Sequence, residues 1–123
     1  MNEGKAGWET YEEVAVHLLD RLAGHLDLEY VEEKQKVEGE SGARWEIDGK
    51  GVGDDGEGFV ILECKRYPDS RVPQGKLAKL AYRISDTGAA GGIVVTPIGL
   101  QEGAKQVAED TGVRTVELDE SST

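Results

Sequence analysis

Cysteine, methionine and phenylalanine each occur once in the 123 residues. A single cysteine excludes an intrachain disulfide and any zinc site built on paired thiolates. No segment approaches the roughly 20 consecutive apolar residues that a membrane helix needs. Residues 1–7 carry one lysine with no apolar run behind it, so the N-terminus does not read as a signal peptide. A cytoplasmic location is the default expectation, with no membrane partner. Basic residues are also scarce: 14 Lys and Arg stand against 25 Asp and Glu, for a net charge of −11. Such a balance opposes binding to polyanions, which is driven by neutralising phosphates. The opposition is relieved if the acidic residues lie away from the substrate face, or if a salt-loving host screens them. The deficit is uneven along the chain. Between Lys65 and Arg83 the basic residues Lys65, Arg66, Arg71, Lys76, Lys79 and Arg83 face only Asp69.

What is present is enough for one core. A length of 123 residues with 37% hydrophobic content fits a single domain over residues 1–123, with a core from about 7 to 118 and a polar tail at 119–123. From Trp8 to Leu26, apolar residues recur at helical spacing, with Thr10 ahead of Glu12 and Glu13 at the start. Leu26–Val37 predicts a strand, and Ala43–Asp48 a second one with Trp45 and Ile47 on one face and Arg44, Glu46 and Asp48 on the other. The glycine-rich, acidic stretch Gly49–Gly58 predicts a hairpin loop. Phe59–Lys65 is nearly continuous in apolar residues, as in a central strand buried on both faces. Pro73 opens a helix with the stripe Leu77, Leu80, Ala81 and Ile84, and Gly88–Gly92 breaks it. A strand at Ile93–Thr96, a helix over 99–111 and a strand at Val113–Leu118 complete the order. The fold class is α/β, a mixed central sheet flanked by helices.

The segment Ile61-Leu62-Glu63-Cys64-Lys65 carries the chemistry. Strand alternation puts Glu63 and Lys65 on one face and Cys64 on the other. A carboxylate and an ammonium at the end of an apolar strand need compensation. Asp48 ends the preceding strand on its polar face, and Glu46 shares that face. If the two strands pair, two carboxylates approach each other, which favours a bridging cation. Mg²⁺ is the natural candidate, with Mn²⁺ as substitute, because it is hard and keeps waters for a substrate phosphate. A plain salt bridge from Lys65 to Glu63 or Asp48 is the competing explanation.

An Asp ending one strand, followed by a hydrophobic strand ending in Glu-x-Lys, resembles the PD-(D/E)xK, or restriction-endonuclease-like, nuclease superfamily. Beyond Glu63-Cys64-Lys65-Arg66-Tyr67, the residues Val72, Gly88–Thr96, Ala104 and Ala108 resemble the catalytic domain of Mrr-type restriction endonucleases. Tyr11-Glu12 resembles that group's aromatic-Glu pair. The resemblance implies an αβββαβ core with an extra C-terminal helix and strand. It implies a Mg²⁺-dependent endonuclease acting on DNA, with Asp48, Glu63, Glu12 and the backbone carbonyl of Cys64 as metal ligands and Lys65 assisting the attack. Glu9 and Glu13 compete with Glu12, and Glu46 with Asp48. Arg66, Arg71, Gln74, Lys76, Lys79 and Arg83 are expected to contact nucleic acid, the last three basic residues falling at i, i+3 and i+7 on one helix face. Cutting a duplex would call for a homodimer or a partner that supplies target choice, there being no room here for a recognition domain. A small Holliday-junction-resolvase-like nuclease and a non-catalytic binding module that kept the fold are the alternatives.

Other motifs fail on context. Gly51–Gly56 fits GxGxxG, but a strand follows where a dinucleotide site needs a helix. The same stretch lacks EF-hand ligands at Lys50, Val52 and Phe59. His17 and His25 lack partners for a metal, and Cys64 is expected as a buried thiol rather than a nucleophile.

Overall fold

The computed structural model describes residues 10–53, 58–67 and 69–119. Helix α1 spans Tyr11–Arg21. Its N-cap is Thr10, whose hydroxyl accepts the Glu13 amide at 3.0 Å, and Glu12 and Glu13 lie in its first turn. Tyr11, Ala15 and Leu19, four residues apart, form its buried stripe. The helix starts later than the periodicity predicted and ends sooner. A 3-10 turn at Ala23–Leu26 closes on Asp27, which adopts φ 61°, and the chain enters strand β1 at Leu28–Glu32. Trp8 lies outside the described residues.

The predicted strand Leu26–Val37 is two strands in two different sheets. β1 ends at Glu32, and β2 (Gln35–Glu38) pairs antiparallel with β3 (Arg44–Ile47) as a separate two-stranded sheet. The main sheet continues with β4 (Gly49–Gly53), β5 (Phe59–Cys64), β6 (Gly91–Thr96) and β7 (Val113–Glu117), in the order β1-β4-β5-β6-β7. β1, β4 and β5 run antiparallel, and β5, β6 and β7 parallel. The parallel crossovers carry α2 (Gln74–Thr87) and α3 (Glu102–Thr111). Both helices end on a left-handed glycine, Gly88 and Gly112. The predicted mixed sheet with flanking helices and an added C-terminal helix and strand is thus present.

Gly49–Gly53, expected as a loop, is a paired inner strand. Its glycines serve close approach and not turning. A Cβ on Gly49 would lie 2.7 Å from Leu62 Cδ2, and one on Gly51 would lie 2.7 Å from Leu28 Cδ1 and 2.8 Å from Val60 Cγ2. Gly92, expected in the breaker before the next strand, lies inside β6, where a Cβ would meet Ile84 Cδ1 of α2 at 2.9 Å. Residues 54–57, which hold the rest of the GxGxxG match, lie outside the described residues.

β5 carries both halves of the core, as its unbroken apolar run requires. Ile61 packs with Leu77, Leu80, Val94, Ala104 and Ala108 on the α2–α3 side. Leu62 and Cys64 pack with Tyr11, Ala15, Leu19, Ile93 and Val95 on the α1 side. Each large aliphatic buried this way contributes roughly 1.5–3 kcal/mol. Strand parity therefore aims Glu63 at α2 and Cys64 at α1. Among the described residues no helix is long and apolar enough to cross a membrane. Gly51→Ala is expected to lower stability by about 1–3 kcal/mol through overpacking, read from the midpoint shift of urea denaturation. An unchanged midpoint would mean that β4 accommodates a side chain there.

Candidate active site

The site forms where β5 outruns β4. The β4–β5 ladder begins at Gly49 opposite Leu62, and Asp48 stands just before it. The Asp48 amide donates to the Leu62 carbonyl at 3.1 Å, and its Oδ2 accepts the Cys64 amide at 2.8 Å. The carboxylate thus takes the place of the next backbone acceptor beside β5. It is Asp48, and not Glu46, that meets β5. Glu46 faces solvent on β3 with Lys34 at 4.0 Å, both side chains 58% exposed.

One residue along β5 from that contact, Glu63 is 7% exposed on the opposite face from Cys64. Lys65 Nζ donates to Glu63 Oε2 at 3.1 Å, and Arg83 Nη1 donates to Glu63 Oε1 at 2.9 Å. Both cations are largely buried, with side-chain exposures of 20% and 12%. The sequence reading set Arg83 on the exposed basic face of α2 with Lys76 and Lys79. The structure turns it inward, because it follows Leu80 by three residues and so flanks the buried stripe. Its guanidinium lies 5.1 Å from the ring of Trp45 on β3. Trp45 in turn donates Nε1–H to Asp86 Oδ2 at 2.9 Å and meets Tyr82 edge-on.

Asp86, at the end of α2, is the anchor of the β2–β3 hairpin. Its carboxylate also accepts the Ser41 amide at 2.9 Å and the Ser41 hydroxyl at 2.8 Å, and its carbonyl accepts the Glu40 amide at 2.8 Å. A side chain on Gly39 would run into this carboxylate. Sequence reasoning passed over Trp45 and Asp86. Helical spacing gave no signal for Asp86, which lies on the side of α2 opposite the apolar stripe.

Asp48 and Asp86 are displaced in opposite directions. Burial raises the Asp48 pKa above the ordinary 3.8; the Cys64 amide works against this, and the charges of Glu63 and Glu12 add to it. Hydrogen bonds from Trp45 and Ser41 lower that of Asp86. The Cys64 thiol is buried, and burial followed by the charges of Asp48, Glu12 and Glu63 pushes it far up, so it stays protonated. The expected inert thiol is what the structure contains.

Glu12 joins Asp48 on an open groove of about 720 Å³ between α1 and the β1–β2 connection, with Glu13, His17, Glu32 and Glu33 also lining it. The remaining predicted residues are not part of the lining of this groove. Arg66, Arg71, Lys76 and Lys79 are exposed. Gln74 opens α2, and its Oε1 sits where a Cβ on Gly103 of α3 would be, so part of its surface is spent on helix packing. Glu9 lies outside the described residues. Among the described residues no three Asp, Glu, His or Cys side chains converge as a ready metal cage. The donor chemistry nevertheless suits a hard divalent cation. Asp48 accepts the Cys64 amide and Glu63 precedes Cys64 on β5, so two carboxylates lie at one end of that strand, near enough for the charge of Glu63 to help raise the Asp48 pKa.

The Mrr catalytic-domain family model, described as restriction endonuclease, matches residues 5–121. No curated protein matches the sequence. Among solved structures, AF1548, a protein of unknown function, aligns with a TM-score of 0.69 at 20% identity, covering 85% of this chain and 56% of that one. EndoMS in its apo form aligns with a TM-score of 0.51 at 20% identity over 92% of this chain and 48% of that one. AspBHI, a DNA modification-dependent restriction endonuclease, aligns with a TM-score of 0.51 at 20% identity over 95% of this chain and 35% of that one. At such identity the likeness is one of fold. This chain spans between 35% and 56% of those neighbours' lengths.

The opposed carboxylates make a pH test. A raised native pKa means that the folded state holds the proton more tightly, so the wild type gains stability as pH falls through that value. Asp48→Asn removes the buried charge and keeps an acceptor for Cys64. Without metal it is expected to be more stable than wild type at pH 7, with the gap closing toward pH 4. Asp86→Asn is expected to be less stable at pH 7. Its deficit also shrinks once the pH falls below 3.8, where the wild type begins to lose the Asp86 contribution. Urea titrations with chelator across this range check both, and parallel pH profiles for the two variants would contradict the assignment.

Proposed function

Because the chain belongs to the Mrr-type restriction endonuclease catalytic family, a family of DNA-cleaving hydrolases, we propose that it is a divalent-metal-dependent endonuclease with Asp48, Glu63 and Lys65 at its centre. The observation that carries this reading is Asp48 Oδ2 on the Cys64 amide at 2.8 Å, one residue along β5 from Glu63, whose carboxylate Lys65 meets at 3.1 Å. Mg²⁺ fits the donor set formed by Asp48, Glu63 and the Cys64 carbonyl, with Glu12 at the edge. When bound there, such an ion would polarise the scissile phosphate and acidify an attacking water.

The protein's own groups account for the rest. Asp48 is fixed by the Cys64 amide, so one carboxylate oxygen is oriented by the strand itself. Lys65 follows the last residue of β5, and its amide donates to Val95 of β6 at 2.8 Å, which holds its backbone in place. The ammonium can therefore meet charge developing on a phosphoryl oxygen without reorganising. Arg66, Arg71, Lys76 and Lys79 would receive the DNA backbone on the exposed face beside the site. Beyond Asp48 and Glu12, the other carboxylates of the groove, among them Glu13, Glu32 and Glu33, belong to α1 and the β1–β2 connection and not to α2, which is how a chain of net charge −11 could approach a polyanion. Cutting both strands of a duplex takes two such centres, so the reading includes a second copy or a partner protein. A branched substrate of the Holliday-junction kind is compatible with the same centre.

The second reading, a non-catalytic DNA-binding module, is favoured by one observation. Both oxygens of Glu63 already have cationic partners. Two measurements separate the readings. Calorimetric titration with Mn²⁺ is expected to show binding that Glu63→Ala abolishes. Incubation with linear, supercoiled, methylated and branched DNA in Mg²⁺ is expected to give cleavage that Lys65→Ala lowers by about 100-fold or more. Absence of Mn²⁺ binding at millimolar concentration, or a Lys65→Ala variant that cuts like wild type, overturns the catalytic reading.

A further inference from the structure

Arg83 is the unexpected member of the site. Among the described residues, the acid its guanidinium pairs with is the buried Glu63. It is spent on Glu63, which Lys65 already pairs. Its position is costly, since Nε is buried and lacks a hydrogen-bond partner among the described residues. The arrangement is also held from outside α2. Trp45 covers the guanidinium at 5.1 Å, and Asp86 fixes Trp45 through Nε1 while gripping Ser41 on the same hairpin. Two separate segments thus cooperate to keep a second cation on one carboxylate.

We propose that Arg83 is a resident counter-ion of Glu63 that competes with the divalent cation, so that the Trp45–Arg83 stack sets the metal concentration at which the site fills. The inference rests on the reading of Glu63 as a metal ligand and deepens it into regulation of that site. Its physical basis is the charge on Glu63 itself. One carboxylate already holds two cations, Lys65 and Arg83. A divalent ion must share Glu63 with a guanidinium that lies over the Trp45 ring and cannot swing freely into water. Removing that guanidinium leaves Glu63 with one cation and raises the attraction for a metal. Arg83 acts here as a positioning residue, because it touches Glu63 and not the substrate.

The test is Mn²⁺ affinity by calorimetry on the folded full chain, with circular dichroism as the check on folding. Arg83→Gln is expected to tighten Mn²⁺ binding by about tenfold, the equivalent of losing one charge-assisted hydrogen bond to the ligand. Arg83→Lys, which keeps the charge, is expected to stay within about threefold of wild type. Trp45→Leu, which frees the guanidinium without removing it, is expected to tighten binding by a smaller factor, and it answers the question if Arg83→Gln fails to fold. General damage to the site would weaken binding, so the direction separates regulation from mere support. If wild type binds Mn²⁺, Glu63→Ala does not, and Arg83→Gln binds equally or more weakly, the counter-ion role is overturned while the metal site stands. If none of these proteins binds Mn²⁺, the metal reading fails and this inference fails with it. If wild type does not bind and Arg83→Gln does, the catalytic reading of the wild type falls while competition at Glu63 is supported.

Discussion

A buried carboxylate must be compensated, and Glu63 is the point from which the arrangement of this protein follows. The isolated charge would cost several kcal/mol at that depth. Lys65 supplies one partner from the same strand, at the spacing that strand alternation provides at no further cost. The second partner comes from α2, which brings Arg83 to 2.9 Å. A guanidinium at this depth needs cover in its turn, and Trp45 of the β2–β3 hairpin supplies it. Trp45 needs its indole N–H satisfied, and Asp86 accepts it. Asp86 then uses its remaining lone pairs on Ser41 and so fastens the hairpin to α2. A hairpin that shares no ladder with the main sheet is thereby tied to the end of β5.

The parts of the fold that were legible in the sequence are those where one physical signal dominates. The nearly continuous apolar run at 59–64 predicts a strand covered on both sides, and it is one. The stripe of α2 and the glycines that end it were legible for the same reason. Glycine was misread where its use was packing. Gly49, Gly51 and Gly92 lie within strands because Leu62, Leu28, Val60 and Ile84 occupy the space a side chain would need. A glycine required by a neighbour distant in sequence looks the same as one required by a turn. The split of Leu26–Val37 falls in the polar run Glu32–Lys36, where no apolar position marks which sheet each half joins.

The site divided along similar lines. Glu63 and Lys65 are set by strand parity, which is local. The choice between Asp48 and Glu46 could not be made from parity, since both share a face. It is made by the β4–β5 register, which puts Asp48 next to the Cys64 amide and leaves Glu46 in solvent. Arg83 was assigned to the exposed face because its spacing matches Lys76 and Lys79. Spacing does not separate Lys76 from Arg83, which stand within about 20° of one line on α2. Arg83 differs in lying at the end of the helix that meets Trp45 and Glu63, and these draw its guanidinium inward.

Asp48 and Asp86 show how the same side chain can serve stability in one place and chemistry in another. Both are removed from bulk water and both accept amide hydrogen bonds. Asp86 collects donors from Trp45 and Ser41, which hold its charge and lower its pKa, so its ionisation stabilises the fold. Asp48 has the Cys64 amide and faces two further carboxylates, Glu63 and Glu12, so its ionisation costs stability in the metal-free protein. An asparagine at 48 would accept the same amide without a charge that its surroundings disfavour. The unfavourable charge is intelligible if something positive completes it. That argument rests on the energetics of one side chain and not on the family, and it points to the same place in the molecule.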